Sequence, residues 1–199
     1  MTHPDSPRRT GLMIRSLALT AVLALGATAC SNGDSSAGSS SSSSTPDAKK
    51  AATALDAGLK AHAKGDLTAA TADYKKTLTY DPTNKFAFYN LALIDAAAGN
   101  YGLAEEKYRA ALKSDAKYEP ALFNLAILRT SRDPKEAISL YKRAVAANKK
   151  DAAAWLNLGL LLRAAGQVEE GNKDVLRAIA LNPKLKDPKS ATAGAEKAG

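Results

Sequence analysis

Side chains able to carry chemistry are few in this chain, and their placement narrows what they could do. There is one cysteine, Cys30, and there are two histidines, His3 and His62. His3 and Cys30 fall in the first thirty residues, a stretch with the character of an export signal, so His62 stands alone in the remainder. A histidine-cysteine metal site or a cysteine-histidine nucleophile pair needs partners that this composition does not supply. No strand leads into a glycine-rich phosphate loop. The carboxylates Glu105, Glu106, Glu169 and Glu170 sit at the starts of expected helices, where attraction to the helix dipole accounts for them. The expectation is a protein with no enzymatic activity, no cofactor and no metal. What recurs instead is an amide: Asn90, Asn124 and Asn157 stand 34 and 33 residues apart. Each offers a donor and an acceptor, the two functions that bond an extended peptide backbone with little regard for its sequence.

These asparagines recur because the stretch that carries them is one pattern written four times, at spacings of 33 or 34 residues. Ala54, Phe88, Leu122 and Trp155 form one column, and Ala57, Leu91, Leu125 and Leu158 the next. Gly58, Ala92, Ala126 and Gly159 stand beside them, and downstream come Ala70, Ala104, Ala137 and Gly171, then Tyr74, Tyr108, Tyr141 and Val175. Within a copy the columns fall three and four residues apart, which places them on one face of a helix; strands would alternate. Gly65-Asp66, Gly99-Asn100, Asp133-Pro134 and Gly166-Gln167 interrupt each copy halfway, where glycine ends one helix and an aspartate or asparagine caps the next. Each copy is therefore predicted to be a helix, a tight turn and a second helix. Small residues in the Gly58 column let the second helix approach closely, and the tyrosines fill the space between successive pairs.

Period, column identities and the closing prolines Pro82 and Pro183 resemble the tetratricopeptide repeat, with Trp155-Leu156-Asn157-Leu158-Gly159 the best local match. The first copy is weaker, with Ala54 where a large residue is usual, and the last has Gly171 and Val175 in place of the small alanine and the aromatic. The resemblance implies an all-α fold, a right-handed superhelix of four helix-turn-helix repeats whose first helices line a groove that holds peptides. It places Tyr89, Asn90, Leu93, Phe123, Asn124, Ile127, Asn157, Leu160 and Arg163 in that groove, with the apolar members making contacts between the amides. Two other outcomes for these residues compete with ligand binding: the asparagines can bond neighbouring helix backbone, and the aromatics can be core. His62, in the column of Ala96, Thr130 and Arg163, reads as a solvated helix residue at the rim.

The chain before the repeats reads as three parts of an export and anchoring device. Residues 1–29 join Arg8, Arg9 and Arg15 to a short apolar core from Leu17 to Leu25, the pattern of a signal peptide. From Ser16 to Ala29 there are 14 uncharged residues, fewer than the roughly 20 that span a bilayer as a helix. Ala27-Thr28-Ala29 before Cys30 resembles a bacterial lipoprotein box, which implies lipidation of Cys30 at the mature N-terminus; an ordinary signal peptidase would instead release a secreted protein. Residues 30–46 are rich in serine and glycine, with too little apolar surface to offset chain entropy, and read as a disordered tether. The repeat domain is expected over 47–185, with repeats 51–84, 85–118, 119–151 and 152–185, followed by a small-residue tail over 186–199.

A repeat array needs a polar cap on its last face. Either the tail folds back, or Val175, Leu176 and Ile179 are partly exposed and allow weak self-association. Net charge is +8, with the excess carried mostly by lysines on second helices. Nucleic acid is not expected as the partner of an exported protein, whereas anionic headgroups or cell-wall polymers suit such charge. The sequence thus points to an adaptor on the extracytoplasmic face of a bacterial membrane that holds a peptide segment of another envelope protein. A structural lipoprotein of a secretion or surface-appendage complex, acting through its outer face or uncapped end, is the alternative.

Overall fold

Left-handed backbone at three glycines sets the layout. Gly65, Gly99 and Gly166 have φ of 79°, 79° and 83°, a conformation that a Cβ disfavours, and each ends one helix so that the next can start two residues later. The computed structural model describes residues 46–187, and among them lie eight helices and no strand. They are α1 (Pro46–Ala63), α2 (Leu67–Tyr80), α3 (Lys85–Ala97), α4 (Tyr101–Ser114), α5 (Glu119–Arg129), α6 (Pro134–Ala147), α7 (Ala152–Ala164) and α8 (Val168–Leu181). Each odd-numbered helix packs on the even-numbered one that follows it, and α2, α4 and α6 also pack on the first helix of the next pair. This is the four-repeat all-α solenoid expected above. Among the described residues no helix is long and apolar enough to cross a membrane. The signal segment 1–29, Cys30, the tether as far as residue 45 and the tail from residue 188 lie outside the described residues.

Capping follows the turn residues closely. Asp66, Asn84 and Asp133 accept the backbone N–H three residues on, from Ala69, Ala87 and Glu136, at 2.9, 3.0 and 3.0 Å. Asp151 accepts from both Ala153 and Ala154. Each such cap stabilises its helix by about 1 kcal/mol. Asn100 stands at the same position in the second repeat and makes no side-chain cap bond. The third repeat has no turn glycine; Pro134 opens α6 there, in the first turn where its missing N–H costs nothing.

Between the layers, Tyr74, Tyr108 and Tyr141 are buried, as are Ala70, Ala104 and Ala137 one turn before them. Val175 takes the tyrosine's place in the last repeat and is also fully buried, so of the three residues whose partial exposure was the alternative to a folded-back tail, Val175 is covered. The reason is close approach: α7 and α8 meet at Gly159 and Gly171, and Val175 fills the space a side chain at Gly159 would have used. Leu176, on the far side of α8, is 65 % exposed. After α8 the chain folds back rather than continuing outward. Asp187 pairs both carboxylate oxygens with the Arg163 guanidinium at 2.7 and 2.8 Å, and Arg163 Nε donates to Asn172 at 2.7 Å. This strap from α8 to α7 secures the end of the array but leaves Leu176 uncovered.

Candidate functional site

The first helices α3, α5 and α7 carry the residues singled out from the sequence, and their neighbours can now be named. Tyr89 on α3 is half-buried, its ring 6.0 Å from that of Tyr108 and 5.4 Å from that of Tyr118. Asn124 on α5 donates one N–H to the Tyr89 hydroxyl at 3.3 Å and the other to the carbonyl of Pro120 at 2.8 Å. Asn90 donates to the carbonyl of Phe86 at 2.8 Å, and Asn157 on α7 hydrogen-bonds the Tyr141 hydroxyl, which Thr130 also meets. Asn124 and Asn157 therefore brace one helix against another, whereas Asn90 bonds within its own helix. Both N–H groups of Asn124 are in use, so a peptide reaching it would meet the carbonyl oxygen.

Apolar members of the set are divided between packing and exposure. Phe123 stacks edge-to-face with Tyr141, ring centres 5.9 Å apart, while Ile127 is 46 % exposed and Leu93 and Leu160 are half-buried. Arg163 is nearly covered, and its charge is matched by Asp187 within the chain. His62, expected to be solvated, is instead half-buried with Nδ1 3.3 Å from the Tyr74 hydroxyl. That hydroxyl belongs to a phenol whose burial pushes its pKa up to about 12. The misreading arose because His62 shares a column with Ala96, which is too short to reach the tyrosine of its own repeat.

Two features of this face had no counterpart in the sequence reading. Phe86 and Tyr118 meet edge-to-face at 5.6 Å, and Lys85 Nζ lies 5.1 Å from each ring centre while pairing with Asp115 at 2.6 Å. Beside them, Glu119 at the start of α5 hydrogen-bonds Asp151, the cap of α7. Burial, then the hydrogen bond to Asp151 and its charge, push the Glu119 carboxyl from 4.5 up to about 7. The Glu119 charge in turn helps to raise the Tyr89 and Tyr118 hydroxyls, after burial. A cap residue and the first helical residue of the preceding repeat lie one column apart in sequence, and only the stacking of repeats makes them touch. Among the described residues no group of three or more histidines, cysteines and carboxylates is placed to hold a metal ion.

A tetratricopeptide repeat model matches residues 55–119 and 127–185. The chain belongs to the tetratricopeptide repeat family. Its fold is shared by MamA (26 % identity, TM-score 0.59, covering 68 % of this chain and 74 % of that one). It is shared too by YrrB, described as a TPR protein with an unusual peptide-binding site (22 % identity, TM-score 0.61, 67 % and 69 % covered). PilF of Pseudomonas aeruginosa is similar in the same way (22 % identity, TM-score 0.61, 71 % and 65 % covered). No match was found among curated proteins. Membership of the family supports a role in protein-protein interaction.

In this tetratricopeptide repeat protein the Glu119-Asp151 pair makes stability depend on pH. Unfolded, Glu119 loses its proton near 4.5; folded, it keeps it to about 7. Between those values the folded state holds the extra proton, so the pair's contribution falls as pH rises through the window. Glu119→Gln, which keeps the hydrogen bond without the charge, should therefore be neutral at pH 4 and stabilise the protein by about 1 kcal/mol at pH 8, solvent screening included. Urea unfolding at the two pH values checks this; an equal effect at both would remove the titration from the account.

Proposed function

We propose that this protein is a membrane-anchored, extracytoplasmic adaptor that holds a peptide segment of another cell-envelope protein along the face of α3, α5 and α7, performing no reaction. The observation that carries the reading is the composition of that face. Tyr89, Asn124 and Phe123 form a braced row, and exposed apolar groups at Phe86 and Ile127 flank it. A rigid row with apolar contacts and amide carbonyls suits an extended segment, since little side-chain freedom is lost on binding. Anchoring rests on the residues before the fold, with lipidation of Cys30 holding the domain at the membrane through a serine-rich tether.

The test is capture of the partner in cells. Crosslinking from position 89 or 123 should attach one envelope protein reproducibly. Replacing Asn90, Asn124 and Asn157 together by alanine should weaken that capture by about tenfold, with helicity retained; unchanged capture would remove the row from the account. Fatty-acid labelling that persists in Cys30→Ser would separately remove the anchor. A second reading, a structural component of an envelope assembly, is favoured by the 65 % exposure of Leu176 beyond the strap. Light scattering on the chain from residue 42 onward separates the two, because a concentration-independent monomer argues against assembly through that end.

A further inference from the structure

Consecutive antiparallel helix pairs put the starts of all first helices, and the ends of all second helices, along one edge of the array. Contacts between successive loops trace that edge: Lys85 to Asp115 at 2.6 Å, Arg143 Nη2 to the carbonyl of Ala116 at 3.0 Å, and Glu119 to Asp151. Here acids and bases are used differently. The loop acids turn inward, because the loop backbone needs acceptors. Asp81 accepts from the N–H and hydroxyl of Thr83 and from Asn84, Asp115 from Lys85 and the Lys117 N–H, and Asp151 from Ala153 and Ala154. No such demand acts on the lysines. Lys49, Lys113, Lys117, Lys149, Lys150 and Lys184 all stand exposed.

At the opposite edge, by contrast, bases stand among acids: the exposed Lys64, Arg132 and Lys135 share it with the exposed Asp66, Glu106, Glu169 and Glu170. Arg109 and Arg129 pair there with Glu105 and Glu136. The first described residue, Pro46, opens α1 on the lysine-bearing edge, with Lys49 in the first turn and Lys50, paired with Asp47 at 3.5 Å, just after it.

We propose that the loop edge is an electrostatic docking surface for an anionic lipid bilayer, and that it orients the tethered domain with its peptide-binding face open to the side. This rests on the membrane-anchored reading for where the protein meets a bilayer. The physics is that of lysines at a charged surface, each adding a modest attraction that ends within a Debye length.

The test uses residues 42–199, which contain every core contact described above and lack Cys30, so its outcome does not depend on lipidation. Cosedimentation is measured with vesicles of phosphatidylcholine alone and with phosphatidylglycerol added. Binding is expected only to the anionic vesicles, weakening as salt rises. Lys117→Glu, Lys149→Glu and Lys150→Glu together should lower it on the order of 100-fold. Lys64→Glu, Arg132→Glu and Lys135→Glu, the same charge change at the opposite edge, should lower it only a few-fold. The corresponding glutamine set at 117, 149 and 150 gives the same ranking if the charge reversal perturbs folding. Absence of binding to anionic vesicles, equal loss in the two sets, or tighter binding to a soluble polyanion than to vesicles would each overturn the proposal. A negative result here with intact labelling of Cys30 leaves the anchor standing and removes only the edge.

Discussion

Replacing Tyr108 with alanine should cost about 4 kcal/mol of stability, the largest loss expected from any single change described here. Tyr108 is 1 % exposed and belongs to the cluster that joins the second and third repeats through Ala92, Leu122 and Leu125. Its ring also backs Tyr89, whose hydroxyl accepts from Asn124, so the cavity opens directly behind the proposed peptide-binding row. Helices cannot close over a hole of that size without moving a whole repeat, because each repeat is held by its immediate neighbours. For a domain whose total stability is on the order of 5–15 kcal/mol, this is a large share. Tyr101→Ala is the matched control, since that ring is 48 % exposed, and it should cost less than about 1 kcal/mol. Urea unfolding of both variants decides the matter; similar losses would mean that the tyrosine column is not the packing element between repeats.

Gly159→Ala should destabilise the protein by about 2–3 kcal/mol, against the sign that helix propensity alone would give. Alanine in a helix interior is favoured over glycine by about 1 kcal/mol. At Gly159, however, an added methyl would lie 2.7 Å from the carbonyl oxygen of Gly171 and 2.9 Å from the backbone nitrogen of Val175. Those neighbours are main chain and cannot rotate away, so α8 must shift and overpacking outweighs propensity. The companion position is as tight, with a Cβ at Gly171 meeting the Gly159 carbonyl oxygen at 2.5 Å. Gly102, on α4, has nothing within 4 Å of where its Cβ would be. Gly102→Ala should therefore be neutral or stabilising by a few tenths of a kcal/mol, and thermal unfolding should show the two substitutions moving in opposite directions. A stabilised Gly159→Ala would mean that α7 and α8 are not in backbone contact.

The two glycines also explain which parts of the molecule were legible in advance. The Gly159 column announced close helix approach, and the tyrosine column announced the filling of gaps, because both are demands made by every repeat on the same residue positions. Turn glycines and capping aspartates were readable for a similar reason, acting over two or three residues. The surroundings of His62 and Val175 were not legible, because each depends on how a particular neighbour departs from the pattern. The asparagines can bond a ligand or the protein on sequence grounds alike, and one N–H of Asn124 reaches Tyr89 at a separation of 35 residues.

What the sequence determined by itself is the repeated unit: helix period from apolar spacing, helix ends from glycine, proline and capping residues, and the number of copies from internal alignment. These rest on short-range sterics and hydrogen bonding, which a stretch of a few residues contains. Only the tertiary structure decided which copies' side chains meet. The Glu119-Asp151 pair and the excess of exposed lysines along one edge join or compare residues about a repeat apart, and the Arg163-Asp187 strap joins residues 24 apart across the end of the array. Their relative positions follow from the rotation between stacked hairpins, and that rotation is set by packing over the whole interface rather than by any one motif.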